Sequence, residues 1–122
     1  MKAARILLVE DDHASAQMLT RLFKSGGHET IAVETAEHAF EAAANGVYDL
    51  VLLDQVLPGA TGMQSLRKLR SMTRAPIYLM SGYNSEDTRV DAELLGARGF
   101  LPKPLDINEV LKLIADLPER RE

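Results

Sequence analysis

Hydrophobic and polar positions alternate along this chain between two patterns, short apolar runs and amphipathic segments. Ile6-Leu7-Leu8-Val9 is wholly apolar, as expected for a strand covered on both faces. From Ala14 to Ser25, the residues Met18, Leu19, Leu22 and Phe23 recur at helical spacing, and Gly26-Gly27 ends the segment as a C-cap. Thr30 to Val33 reads as a second strand, and Ala36 to Ala44 as a helix stopped by Asn45-Gly46, a left-handed cap signal. Leu50-Val51-Leu52-Leu53 is the clearest buried strand and runs directly into Asp54. Ser65 to Met72 predicts a third helix, and Pro76 opens the strand Ile77-Tyr78-Leu79-Met80. Ser85 is the expected N-cap of a helix through Leu95, closed by Gly96. Gly99-Phe100-Leu101 is a short fifth strand. Asp106 and Glu109 start a last helix in capping-box fashion, with Ile107, Val110, Leu111, Ile114 and Leu117 on one stripe.

Five strand–helix alternations imply an α/β fold, a parallel sheet with helices on both faces, because each parallel connection needs a right-handed crossover. Ligands in such sheets bind beyond the carboxyl ends of the strands, where the winding reverses. The residues standing there are Glu10, Asp11 and Asp12 after the first strand, Asp54 after the third, Ser81 after the fourth and Lys103 after the fifth. Each alone has an ordinary reading: a helix cap, a turn hydroxyl, a surface lysine. Their joint placement on one edge of the sheet does not.

Two carboxylates about 4 Å apart repel by roughly 1 kcal/mol in water and about 4 at an effective dielectric of 20. Several converging acids therefore call for a cation, and oxygen donors without His or Cys suit Mg²⁺, with Mn²⁺ as the alternative. His13, His28 and His38 lack ligand spacing and default to surface or packing roles. Ser81 supplies a hydroxyl and Lys103 a point charge, so three phosphoryl oxygens could be held by three different means. Phosphoryl transfer asks mainly for positioning and charge stabilisation, and Asp54, on the central strand, is the natural nucleophile.

Composition narrows the setting. The 122 residues fit one domain, 1–122, with 46% hydrophobic and 26% charged residues, a globular balance. There is no cysteine, which excludes disulfides and thiolate metal sites and fits a cytoplasmic location. No apolar run approaches the roughly 20 residues of a membrane span, and the first five residues contain no signal-peptide core. A net charge of −4 argues against direct contact with nucleic acid. The densest basic group, Arg67, Lys68, Arg70 and Arg74, reads as a solvated helix face.

The blocks Leu7-Leu8-Val9-Glu10-Asp11-Asp12, Asp54-Gln55-Val56-Leu57-Pro58-Gly59-Ala60-Thr61-Gly62, Ser81-Gly82 and Pro102-Lys103-Pro104 resemble the receiver domain of bacterial two-component response regulators. The resemblance covers essentially the whole chain. It implies a flavodoxin-like doubly wound (βα)5 fold with strand order 2-1-3-4-5. It also implies that Asp54 accepts a phosphoryl group from a sensor histidine kinase or phosphotransfer protein. Glu10, Asp11, Asp54 and the backbone carbonyl of Val56 would hold the metal, Glu10 through a water. Asp12 would cap the first helix. Lys103, joined to Pro104 by a cis peptide, would pair with Asp54 and then with the phosphoryl group. Ser81 and Phe100 would switch on phosphorylation, changing the face made by the fourth helix, fifth strand and fifth helix toward an unknown protein target. Val56 and Tyr83 stand where attack by water is governed, and neither is a carboxylate or an amide that could orient the water, so a phosphoryl group that lasts longer than in receivers with such side chains is expected.

Several positions depart from the family pattern. Gln55 replaces a common apolar residue, with a side chain expected to point away from the site. Thr61 replaces a frequent Asp and reads as turn variation. Ala97-Arg98-Gly99-Phe100 lacks the paired acids of many DNA-binding regulators, and Phe100 lacks the hydroxyl of the common Tyr. Three rival readings fit these residues less well. A phosphatase of the haloacid dehalogenase type needs a second Asp where Val56 stands. A flavodoxin-like cofactor binder would place Glu10-Asp11-Asp12 against a phosphate. A receiver-like interaction module that is no longer phosphorylated should have lost the acceptor, the Lys or the acid pair. The chain ends at Glu122, just past the fifth helix, and a stand-alone regulator is the expectation.

Overall fold

The computed structural model describes residues 3–83 and 85–119. Five parallel strands form the sheet: β1 (Arg5–Val9), β2 (Glu29–Val33), β3 (Leu50–Asp54), β6 (Ile77–Ser81) and β7 (Gly99–Pro102). Between β3 and β6 the chain first makes a small antiparallel hairpin, β4 (Val56–Leu57) and β5 (Ala60–Thr61), absent from the sequence reading. The helices are α1 (His13–Ser25), α2 (Ala36–Asn45), α3 (Gly62–Met72), α4 (Glu86–Leu94) and α5 (Ile107–Ala115). The order across the sheet is β2-β1-β3-β6-β7, or 2-1-3-4-5 counting its own strands alone.

Alternation along β1 and β3 sorts their side chains between two cores, since successive strand residues face opposite sides. Leu7, Val9, Val51 and Leu53 pack with Ala39, Leu66, Leu69 and Ala92, toward α2, α3 and α4. Ile6, Leu8, Leu50 and Leu52 pack with Leu19, Phe23, Val110 and Ile114, toward α1 and α5. Both strands are therefore apolar at every position from Ile6 to Val9 and Leu50 to Leu53, with no polar face to show.

Helix ends decide where the strand-end loops go. α1 closes on a Schellman motif, with Gly27 at φ 88 and the His28 amide donating to the Phe23 carbonyl. α4 closes the same way through Gly96 at φ 113. At Gly46 the expected left-handed cap is not found: φ is −155, extended, and the chain turns straight toward Tyr48. A Cβ there would crowd the Arg5 guanidinium and the Tyr48 hydroxyl, so small size rather than dihedral freedom is what this glycine supplies. α3 begins at Gly62, three residues before the expected Ser65, because Thr61 and Gln64 form a reciprocal capping box. Thr61 is thus a helix cap and not mere turn variation.

Two further expectations need amending. Asp12 occupies the N-cap of α1, but its carboxylate accepts from the Ser15 hydroxyl at 2.6 Å and caps no amide. Arg70 is not part of a solvated face: its guanidinium donates to the carbonyls of Thr73 and Ala75, and its stem lies against Gly96. Lys68 lies over the Phe40 ring at 4.3 Å. His28 takes the packing role expected of it, its Nδ1 accepting from the Ala4 amide at 3.0 Å.

Candidate functional site

The strand ends meet at the carboxyl edge of the sheet. β1 delivers Glu10 and Asp11, β3 delivers Asp54, β6 delivers Ser81, and the loop after β7 delivers Lys103. Asp54 ends the central strand, paired with Met80 of β6 on one side, while the ladder with β1 ends at Leu53 just before it. Glu10, Asp54 and Ser81 are each only 3% exposed, while Asp11 is open to solvent.

Lys103 ties the pocket together. Its Nζ donates to Asp54 Oδ2 at 2.9 Å and to Glu10 Oε1 at 3.1 Å. The second Asp54 oxygen, Oδ1, accepts from the Val56 amide at 3.2 Å. One oxygen of Glu10, Oε2, is buried with no hydrogen-bond partner. Glu10, Asp11 and Asp54 each offer a carboxylate oxygen within 4.8 Å of the others. A buried orphan oxygen inside a three-acid cluster is what a hard divalent cation would satisfy, and the donor set fits one.

The electrostatics agree. Burial pushes the Glu10 carboxyl up to about 7, with the neighbouring Asp54 adding to the rise and Lys103 opposing it. For Lys103, burial favours the neutral amine, but the bonds from Asp54 and Glu10 outweigh it and hold the ammonium above its ordinary value. One ammonium thus serves two crowded carboxylates.

Ser81 stands at the end of β6 with its hydroxyl oxygen accepting from the Tyr83 amide at 3.0 Å. The Lys103–Pro104 peptide is cis. Phe100 is half-buried against the core beneath α4, with the Arg89 guanidinium 5.2 Å above its ring. Val56 and Tyr83 are both 71% exposed at the mouth of the site.

Three contributors were not foreseen. Gln55 turns its side chain to α3, where its oxygen accepts from the Met63 amide at 2.7 Å. Gly62 lets α3 approach the acceptor strand, since a Cβ there would lie 2.4 Å from the Asp54 carbonyl oxygen. The Val56 amide holds Asp54 itself. Of these, only the α3 start had a readable signal, the Thr61-x-x-Gln64 spacing of a capping box.

Residues 6–115 match the response regulator receiver domain, and the chain belongs to that family. The response regulator protein FleR of Pseudomonas aeruginosa is 39% identical over 114 residues, 93% of this chain and 24% of FleR. The transcriptional activator protein PfeR of the same organism is 38% identical over 106 residues, 87% of this chain and 35% of PfeR. The chain therefore spans about a quarter to a third of the length of these two relatives. Among solved structures, the Vibrio cholerae chemotaxis protein CheY4 superposes with a TM-score of 0.87 at 24% identity, covering 95% of this chain and 99% of that one. That likeness is one of fold. The chain is a receiver domain, a signalling unit and not an enzyme of the usual kind, with the acidic pocket typical of phosphoacceptor receivers. No helix among the described residues is long and apolar enough to cross a membrane.

Proposed function

We propose that Asp54 is the phosphoacceptor of this receiver and that residues 1–122 act as one such domain. The observation that carries the reading is the Lys103 ammonium bridging Asp54 Oδ2 and Glu10 Oε1 inside the three-acid cluster. Glu10, Asp11, Asp54 and the Val56 carbonyl would hold Mg²⁺, or Mn²⁺, which when bound neutralises charge on the acids and on phosphoryl oxygens.

In the transfer, a carboxylate oxygen of Asp54 attacks phosphorus as the P–N bond of a phosphohistidine breaks. The imidazole leaves with the electron pair and takes a proton from solvent. Lys103, already on Asp54, follows the charge onto the new phosphoryl group. Ser81 turns its hydroxyl from the Tyr83 amide toward a phosphoryl oxygen. Phe100 moves into the space vacated, which changes the face of α4, β7 and α5 seen by a protein target. A phosphoryl group adds roughly −1.5 to −2 charges and three acceptors, enough to favour one conformation when only that one supplies the donors.

The donor is a sensor histidine kinase or a phosphotransfer protein, the usual partners of receiver domains. The net charge of −4 supports a protein target over nucleic acid, and the lack of cysteine accords with a cytoplasmic setting. Labelling with radioactive acetyl phosphate tests the reading through its metal dependence. Label should enter in Mg²⁺ and be lost in EDTA; equal labelling in both would contradict it.

A further inference from the structure

Gln55 makes three hydrogen bonds that converge on the acceptor loop. Its amide donates to the Met80 carbonyl of β6 at 2.9 Å, and its own carbonyl accepts from Gly62 at 2.8 Å. Its side-chain oxygen accepts from Met63 at 2.7 Å. Gly62 and Met63 are the first two residues of α3, whose opening amides have no partner within the helix. The third, Gln64, is taken by the Thr61 hydroxyl at 3.0 Å. Thr61 and Gln55 thus complete one cap, but they differ in what they attach. Thr61 ties the helix to the far strand of the hairpin. Gln55 ties it to the residue between Asp54 and Val56.

Resting on the proposed metal-dependent acceptor site, we infer that Gln55 is a positioning residue, whose side chain locks the loop so that Asp54 and the Val56 carbonyl converge with Glu10 and Asp11. The Val56 side chain is 71% exposed and anchors nothing. Its peptide is fixed on one side by Gln55 and on the other by pairing with Thr61 across the hairpin. The Val56 amide in turn orients Asp54 through Oδ1. Without the Gln55 oxygen, the Met63 amide loses its acceptor, and the start of the loop, next to Asp54, loses its side-chain bond to α3. Groups that orient metal ligands without touching the ion commonly matter about tenfold or more in affinity.

The test compares wild type, Gln55→Met, which keeps length but removes the acceptor, and Thr61→Ala, which removes the other half of the cap. Melting in EDTA reads the structural cost, amide exchange of Met63 reads the lost bond, and calorimetric titration with MgCl₂ reads the site. Both variants should melt a few degrees lower. Only Gln55→Met should speed Met63 exchange in EDTA and raise the Mg²⁺ dissociation constant about tenfold. An unchanged constant in Gln55→Met, or an equal rise in Thr61→Ala, would overturn the inference while leaving the acceptor site standing. Wild type that binds no Mg²⁺ would remove the metal site and this inference with it.

Discussion

The backbone amide of Lys103 donates to the carbonyl of Ser81 at 2.9 Å, just past the register where Ser81 pairs with Pro102. The hydroxyl and the ammonium proposed to grip a phosphoryl group are therefore joined through one ladder. A backbone shift at either is therefore felt at the other.

Removing the ammonium should be felt even without metal. Lys103→Met leaves Asp54 and Glu10 facing each other with no cation, and Glu10 holds its proton to higher pH in response. Breaking a fully buried pair costs about 3–5 kcal/mol; Lys103 keeps a third of its side chain in water, so about 1–2 is expected here. Urea denaturation in EDTA at neutral pH reads this. Asp54→Asn, which removes one of the crowded carboxylates, should not show the same loss.

Glu10 sets a pH dependence of definite sign. Burial, aided by Asp54, raises its folded value to about 7 from an ordinary 4.5. Its stabilising contribution is full below the unfolded value and is lost as pH rises through about 7, so in EDTA this group lowers stability between pH 5 and 8. Metal needs the ionised carboxylate, and binding releases the proton. Apparent Mg²⁺ affinity should rise about tenfold from pH 6 to pH 8, read by calorimetry in two buffers of different ionisation enthalpy. A flat profile with no proton release would contradict the assignment.

Gly62 should tolerate no side chain. In Gly62→Ala the new methyl would meet the Asp54 carbonyl at 2.4 Å and Leu79 at 2.8 Å, and one neighbour is backbone. A stability loss of about 1–3 kcal/mol is expected, with slower phosphorylation because the displaced atom belongs to the acceptor. Denaturant titration and the acetyl phosphate rate measure the two effects.

The phosphoryl group should persist. Val56 and Tyr83 are both exposed, and neither offers a carboxylate or an amide to align an attacking water. The double variant Val56→Asn, Tyr83→Glu should hydrolyse about tenfold faster, followed by loss of label after donor removal. Hydrolysis as fast in the wild type would contradict the expectation.

How much of this could be read from the sequence depended on the range of the interaction. Strands β1 and β3 were legible because burial on both faces leaves an unbroken apolar run, and the strand-end acids follow directly once the topology is inferred. The hairpin of β4 and β5 was not, since two residues a side carry no periodicity. The bonds of Gln55 and Arg70 were not legible for a shared reason: each spends a polar side chain on backbone groups at a helix end, which a hydrophobic pattern does not encode. Gly46 misled because a glycine after an asparagine signals a left-handed cap, whereas here its missing Cβ makes room for Arg5 and Tyr48.

The central claim is that one carboxylate, held by Lys103 and flanked by two acids, forms a covalent bond to phosphorus. Intact-mass measurement after acetyl phosphate and Mg²⁺ addresses it without reference to any partner. The account predicts a gain of about 80 Da in the wild type, one phosphoryl group, and none in Asp54→Ala. An unmodified wild type, or the same gain in both proteins, would contradict it.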